Sequence, residues 1–132
     1  MCAINGFNFK DDHLLKRMSS MTYSRGPDNE GLFSSDKFSL AHNRLAIIDP
    51  TPKSNQPYYY EELVISVNGE IYNYKALKSK LESKGHKFLT NSDTEVVIRL
   101  FKEYGTNSFK LLSGIFSIAI YDKQKDTLYL IR

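Results

Sequence analysis

Apolar positions along this chain recur at two spacings, and the spacing changes wherever glycine, proline or asparagine interrupts it. Residues 2–9, Cys-Ala-Ile-Asn-Gly-Phe-Asn-Phe, read as a strand in which Gly6 marks a bulge or a close backbone approach. Asp11 and Asp12 then open an amphipathic helix whose Leu14, Met18 and Met21 fall at helical spacing. Those methionines are expected in the core, and His13 on the surface. Ser24-Arg25-Gly26-Pro27-Asp28 resists both helix and strand and must be a loop. Two short strands follow, about 31–34 and 38–45, joined as a hairpin through Ser35-Asp36-Lys37. Phe38, Leu40, His42 and Arg44 share one face of the second by the period of two. A guanidinium at the end of such a row either reaches for solvent or meets a carboxylate, and the first is the commoner outcome.

The stretch 51–60, rich in Pro, Asn and Tyr, reads as an irregular loop. Residues 63–67 form a β-type run that stops at Asn68-Gly69-Glu70, a strong tight-turn signal. No second strand follows directly. Tyr74, Leu77 and Leu81 instead mark a helix ended by Gly85, and a strand that turns through glycine into a helix gathers N–H groups at one point, which suits an oxyanion. Ser92-Asp93-Thr94-Glu95 has the form of a capping box with Glu95 reaching back, and Asp93 there is accounted for by the helix dipole alone. Val97, Leu100, Phe101 and Tyr104 continue that helix to Gly105, a shorter helical piece spans about 108–112, and 115–121 pairs with 127–132 as a hairpin. The last strand has no polar tail, so the chain is expected to stop within a fold.

Composition narrows the class without naming a reaction. A chain of 132 residues with 41% hydrophobic and 25% charged residues is one domain with a genuine core, not a disordered segment. The net charge of +3 is small and the basic residues are spread, Lys75, Lys78, Lys80 and Lys84 reading as a solvated helix face, so nucleic acid is not an expected partner. No apolar stretch approaches the ~18 residues that span a bilayer, and a single cysteine fits a reducing, cytoplasmic setting. That cysteine is the feature that changes the picture. A lone cysteine is more often a small buried apolar residue, but Cys2 directly follows the initiator methionine. Removal of Met1, favoured by the small side chain after it, would leave a thiol and a free α-amine on one residue. With a reference pKa of ~7.7–8.0, that amine can accept the thiol proton at working pH.

Five motifs in order, Met1-Cys2-Ala3-Ile4, Arg25-Gly26-Pro27-Asp28, Arg44-Leu45-Ala46-Ile47-Ile48-Asp49, Val67-Asn68-Gly69-Glu70-Ile71-Tyr72-Asn73 and Ser92-Asp93-Thr94-Glu95, resemble the class II glutamine amidotransferases, which are N-terminal-nucleophile hydrolases. Arg-Gly-Pro-Asp and Asn-Gly-Glu-Ile-Tyr-Asn are similar to the asparagine-synthetase branch, some of whose relatives amidate sugar or secondary-metabolite acceptors instead. The resemblance implies an α+β layered sandwich, two antiparallel sheets between helices, with residues 1–132 forming an amidotransferase domain incomplete at its C-terminus. It implies Cys2 as nucleophile, the Asn68 amide and Gly69 N–H as oxyanion hole, Arg44 on the glutamine α-carboxylate, Asp93 and Glu70 on its α-ammonium, and backbone of Leu45, Ala46, Ile47 and Ile48 lining the pocket. It further implies L-glutamine as substrate and no metal or organic cofactor for this half. ATP and magnesium belong to an ATP-pyrophosphatase synthetase domain on the same chain, whose glycine-rich phosphate loop is absent here, and a homodimer is allowed. Ala3 stands where the family usually has glycine or serine, and Ser24 where histidine is common. Two alternatives remain open: an amidotransferase for another acceptor, and an inactive fragment that serves only as a binding module.

Overall fold

Two antiparallel sheets face each other between helices in the computed structural model, which describes residues 1–132. The first sheet has the order β1-β3-β2, with β1 at Ala3–Phe7, β2 at Asn29–Ser34 and β3 at Ser39–Arg44. The second has the order β4-β5-β6-β7, with β4 at Tyr58–Tyr60, β5 at Leu63–Ile71, β6 at Gly114–Asp122 and β7 at Thr127–Ile131. Helix α1, Asp12–Met21, covers the outer face of the first sheet, and α3, Asp93–Tyr104, covers the outer face of the second with α2, Tyr74–Glu82, beside it. The expected sandwich is therefore present, layered helix, sheet, sheet, helix pair.

Burial follows the strand period. On β3 both faces are covered: Phe38 and Leu40 meet Val64, Ala119 and Tyr121 between the sheets, while Ser39, Ala41 and Asn43 turn toward α1. Asn43 bonds there to Ser19 Oγ at 3.1 Å and accepts from Thr22 Oγ1 at 2.6 Å. The larger core lies on the other side of the second sheet, where Leu63, Ile65, Val67 and Ile71 pack on Leu77, Leu81, Val97, Leu100 and Phe101. Each buried aliphatic side chain there contributes roughly 1.5–3 kcal/mol. Asp11 caps α1 by accepting from Leu14 N–H at 2.8 Å, and Gly105, at φ +57°, ends α3.

Several expectations need correction. Met21 is 85% exposed, because the inner face of α1 runs through Leu15 and Ser19 to Thr22 and the helix ends before its stripe returns to the sheet. Residues 58–60 are not loop but the short edge strand β4, paired with Leu63–Ile65. Asn68-Gly69 does not turn. β5 runs through it to Ile71, nine residues paired with β6, because tertiary pairing outweighs a local turn preference. Gly69 sits at φ +139°, and a Cβ on it would lie 2.0 Å from Ile115 O, so only glycine lets the strands approach here. Ser92 caps α3 by accepting from Glu95 N–H at 3.2 Å, yet Glu95 does not close the box. Its carboxylate reaches past Ser92 to Leu89 and Thr90 N–H and pairs with Arg99.

Candidate active site

The thiol sits where the first strand begins. Cys2 is partly buried, its Sγ accepts from Leu45 N–H at 3.4 Å, and its carbonyl accepts from Arg25 Nε at 3.3 Å. The Arg-Gly-Pro-Asp loop thus has a structural task. Gly26 lies against the β3 backbone, where a Cβ would come within 2.3 Å of Asn43 O, and Asp28 accepts from Ala46 N–H at 2.8 Å. Together these contacts fix Cys2 beside the end of β3. A cavity of about 250 Å³ opens there, lined by Cys2, Arg44, Leu45, Ile47, Ile48, Gly69, Glu70 and Asp93 among others. Ala46 is absent from its wall, its N–H being taken by Asp28. Asn68 stands behind the wall, with its Oδ1 buried and without a partner.

Arg44 takes neither of the expected courses. It is 4% exposed, and its two terminal nitrogens donate to main-chain carbonyls of Thr51 (3.0 Å), Ile48 (3.3 Å) and Asp49 (2.5 Å) and to Asn55 Oδ1 (2.8 Å). Folding of the 45–55 segment around the guanidinium replaces both solvent and a carboxylate, and Nε is the donor not used by that segment. Asp49 ties the segment to the residues that lead into α3, accepting from Asn91 N–H at 2.6 Å. The Asn91 amide, with the Thr51 hydroxyl, holds the Asp49 carboxyl down to about 2.

The opposite wall is the free edge of β5. Main-chain groups of alternate strand residues point to opposite neighbours, and those of Leu63 and Ile65 face β4. β4 stops at Tyr58, so Val67, Gly69 and Ile71 face an edge with no strand beside it. Val67 N–H donates to Gln56 Oε1 at 2.6 Å, and Ile71 N–H to Asp93 Oδ2 at 3.1 Å. Gly69 N–H, between them, is left to the cavity. Asp93 also accepts from Thr94 N–H, and its pKa is raised, by burial first and with the Glu70 charge adding, against the pull of those two amides. The wall therefore presents a guanidinium, a thiol, one main-chain donor and two carboxylates around one volume, the donors and acceptors that an amino acid with a polar side chain requires.

Ser54, Gln56, Tyr72, Ser92, Thr94 and Ile115 also line the cavity and were not expected. Gln56 lies in a stretch whose composition reads only as loop. Ser92 and Thr94 flank Asp93 in the capping signature, which could have pointed to them.

A leading thiol on the first strand of one of two facing sheets, opening onto the free edge of the other, defines the class of N-terminal-nucleophile amidotransferases. Residues 1–132 match the family described as "Glutamine amidotransferase domain", and this chain belongs to that family. It is 40% identical, over its full length, to asparagine synthetase [glutamine-hydrolyzing] 1 of Arabidopsis thaliana, and 40% identical over 99% of its length to asparagine synthetase B of Escherichia coli. It covers 24% of each of those proteins, so the chain spans about a quarter of the curated relatives it matches. Among solved structures, glutamine phosphoribosylpyrophosphate amidotransferase from B. subtilis is similar, with a TM-score of 0.58 and 29% identity over 67% of this chain and 22% of that one.

Proposed function

We propose that this chain is the glutaminase part of a glutamine-hydrolysing asparagine synthetase, releasing ammonia from L-glutamine for the amidation of aspartate. The reading is carried by the meeting of Cys2, the free Gly69 N–H and the Arg44 and Asp93 walls at one cavity. With Met1 removed, the α-amine of Cys2 takes the thiol proton, and the thiolate attacks the side-chain carbonyl carbon of glutamine. The negative charge that develops on the oxygen is met by Gly69 N–H, a donor of a kind worth ~10²–10³ in rate, with Asn68 behind the wall beside it. The C–N bond breaks as the Cys2 ammonium returns its proton to the departing nitrogen. Water then hydrolyses the glutamyl thioester to glutamate and restores the thiol. Arg44 and the segment it folds hold the α-carboxylate, and Asp93 and Glu70 hold the α-ammonium, so that a zwitterionic end is bound at fixed separation from the thiol.

While Met1 remains, it lines the same cavity and the Cys2 nitrogen is an amide with no basic lone pair. ATP and magnesium act in a synthetase domain beyond this chain. The decisive measurement is glutamate release from glutamine by protein whose mass shows Met1 gone, beside Cys2→Ala and a form that retains Met1. Only the trimmed chain should turn over. Equal release by Cys2→Ala would overturn the assignment.

A further inference from the structure

The free edge of β5 is held open by two side chains. At the position where β4 would continue, Val67 N–H donates to Gln56 Oε1 at 2.6 Å and Val67 C=O accepts from His42 Nε2 at 3.1 Å. Gln56 is buried and His42 wholly so, one arriving from the segment folded around Arg44 and the other from β3 across the inter-sheet layer. A carbonyl only accepts, so His42 carries its proton on Nε2, and burial, opposed by the Val67 carbonyl and aided by Arg44, lowers its pKa to about 4 and keeps the ring neutral. One residue of strand is thus replaced, donor for donor and acceptor for acceptor, by two side chains. Four residues further on, Asp93 takes Ile71 N–H. Gly69 lies between these clamps with no side chain of its own to fix its peptide plane.

We infer that Gln56 and His42 are positioning residues for the oxyanion hole: by standing in for a strand at Val67 they fix the β5 edge so that the next outward N–H, that of Gly69, stays unbonded and aimed into the cavity. This rests on the glutaminase reading above, yet its geometry can be tested apart from activity. A strand continuing β4 would consume Gly69 N–H in a ladder, and a bare edge would leave Val67 unbonded and let the segment shift. Side chains of this length satisfy one residue and stop. A donor that must meet charge only in the transition state gains most from being fixed beforehand, so the effect belongs to turnover and not to substrate affinity.

Amide exchange by NMR on the full chain reads the arrangement directly. Val67 and Ile71 N–H should exchange at least ~100-fold more slowly than Gly69 N–H, and Gln56→Leu should erase the difference at Val67. Equal protection of Gly69 and Val67 in the unaltered chain overturns the inference, whatever the activity proves to be. In turnover, Gln56→Leu and His42→Phe should lower kcat at least ~10-fold with KM for glutamine within about threefold, whereas His42→Gln, which keeps a donor, should recover most of the loss. A fall in KM-linked affinity equal to the fall in kcat, or no recovery in His42→Gln, assigns both residues to structure alone and overturns the inference. If a removal variant does not fold, the exchange pattern of the unaltered chain decides. Should the unaltered, trimmed chain fail to hydrolyse glutamine while its exchange pattern is as stated, the glutaminase reading falls and this edge geometry stands.

Discussion

Arg44 shows how one residue can be read correctly for type and wrongly for partner. The sequence placed it at the end of an apolar row, and general experience then favours solvent. In the fold it is the post around which residues 48–55 are wrapped, with four contacts from its terminal nitrogens to three carbonyls and one side-chain amide. Planar geometry is what permits this, since the donors leave in fixed directions within one plane. A lysine offers three donors on a point charge and cannot span the same set. Arg44→Lys is therefore expected to destabilise the chain by about 2–4 kcal/mol and to raise KM for glutamine by about tenfold or more, because the wall of the cavity loosens as well as losing its fork. Denaturant unfolding beside steady-state kinetics checks both halves, and an unchanged midpoint would show that the segment does not depend on the guanidinium. Cys2 stood out by its place after the initiator methionine, whereas Asp93, opening a capped helix, was singled out only by the family resemblance, its position alone being explained by the helix dipole. What the sequence did not show for Asp93 is that burial raises its pKa and that it closes the edge of a strand through Ile71.

The instructive case among the elements is β5. Its first five residues were readable from β-branched composition, and its continuation was not, because Asn-Gly carries a stronger local preference for a turn than for a strand. The preference is overridden by nine consecutive pairs with β6, in which Gly69 stands opposite Phe116 and Gly114 opposite Ile71. The strand is thereby carried past the end of β4, and the unpartnered edge that results is the floor of the site. Glycine is required at the crossing by both its φ of +139° and the 2.0 Å approach of Ile115 O. Gly69→Ala is expected to cost at least about 3 kcal/mol and to abolish turnover, measured by chemical unfolding and by glutamate release. A variant as stable and as active as the parent would show that the strands part easily here. Helices were read more faithfully than strands: α3 begins at the expected cap and ends at Gly105, since its signals are local in sequence.

On the scale of the whole molecule, the segment folded around Arg44 is tied to the residues that lead into α3, Asp49 accepting from Asn91 N–H 42 residues further along the chain. The Asp49 carboxyl is held at about 2 in the fold against an ordinary value of 3.8. Because the folded value is depressed, the bridge adds stability above pH 3.8, and that addition is lost as pH falls from about 4 to about 2. Thermal melting followed down this range should show a steeper loss in the parent chain than in Asp49→Asn, and parallel curves would mean that the carboxylate does not link the two segments. The sequence by itself determined the helices, most of the strands and, through five motifs, the family, because each of these is written in residues adjacent along the chain. Tertiary structure alone decided which groups of β5 remain free, that Gln56 and His42 stand at its edge, and that Arg44 turns inward. Those outcomes depend on where a neighbouring strand stops, and the end of one strand is recorded in the sequence of neither.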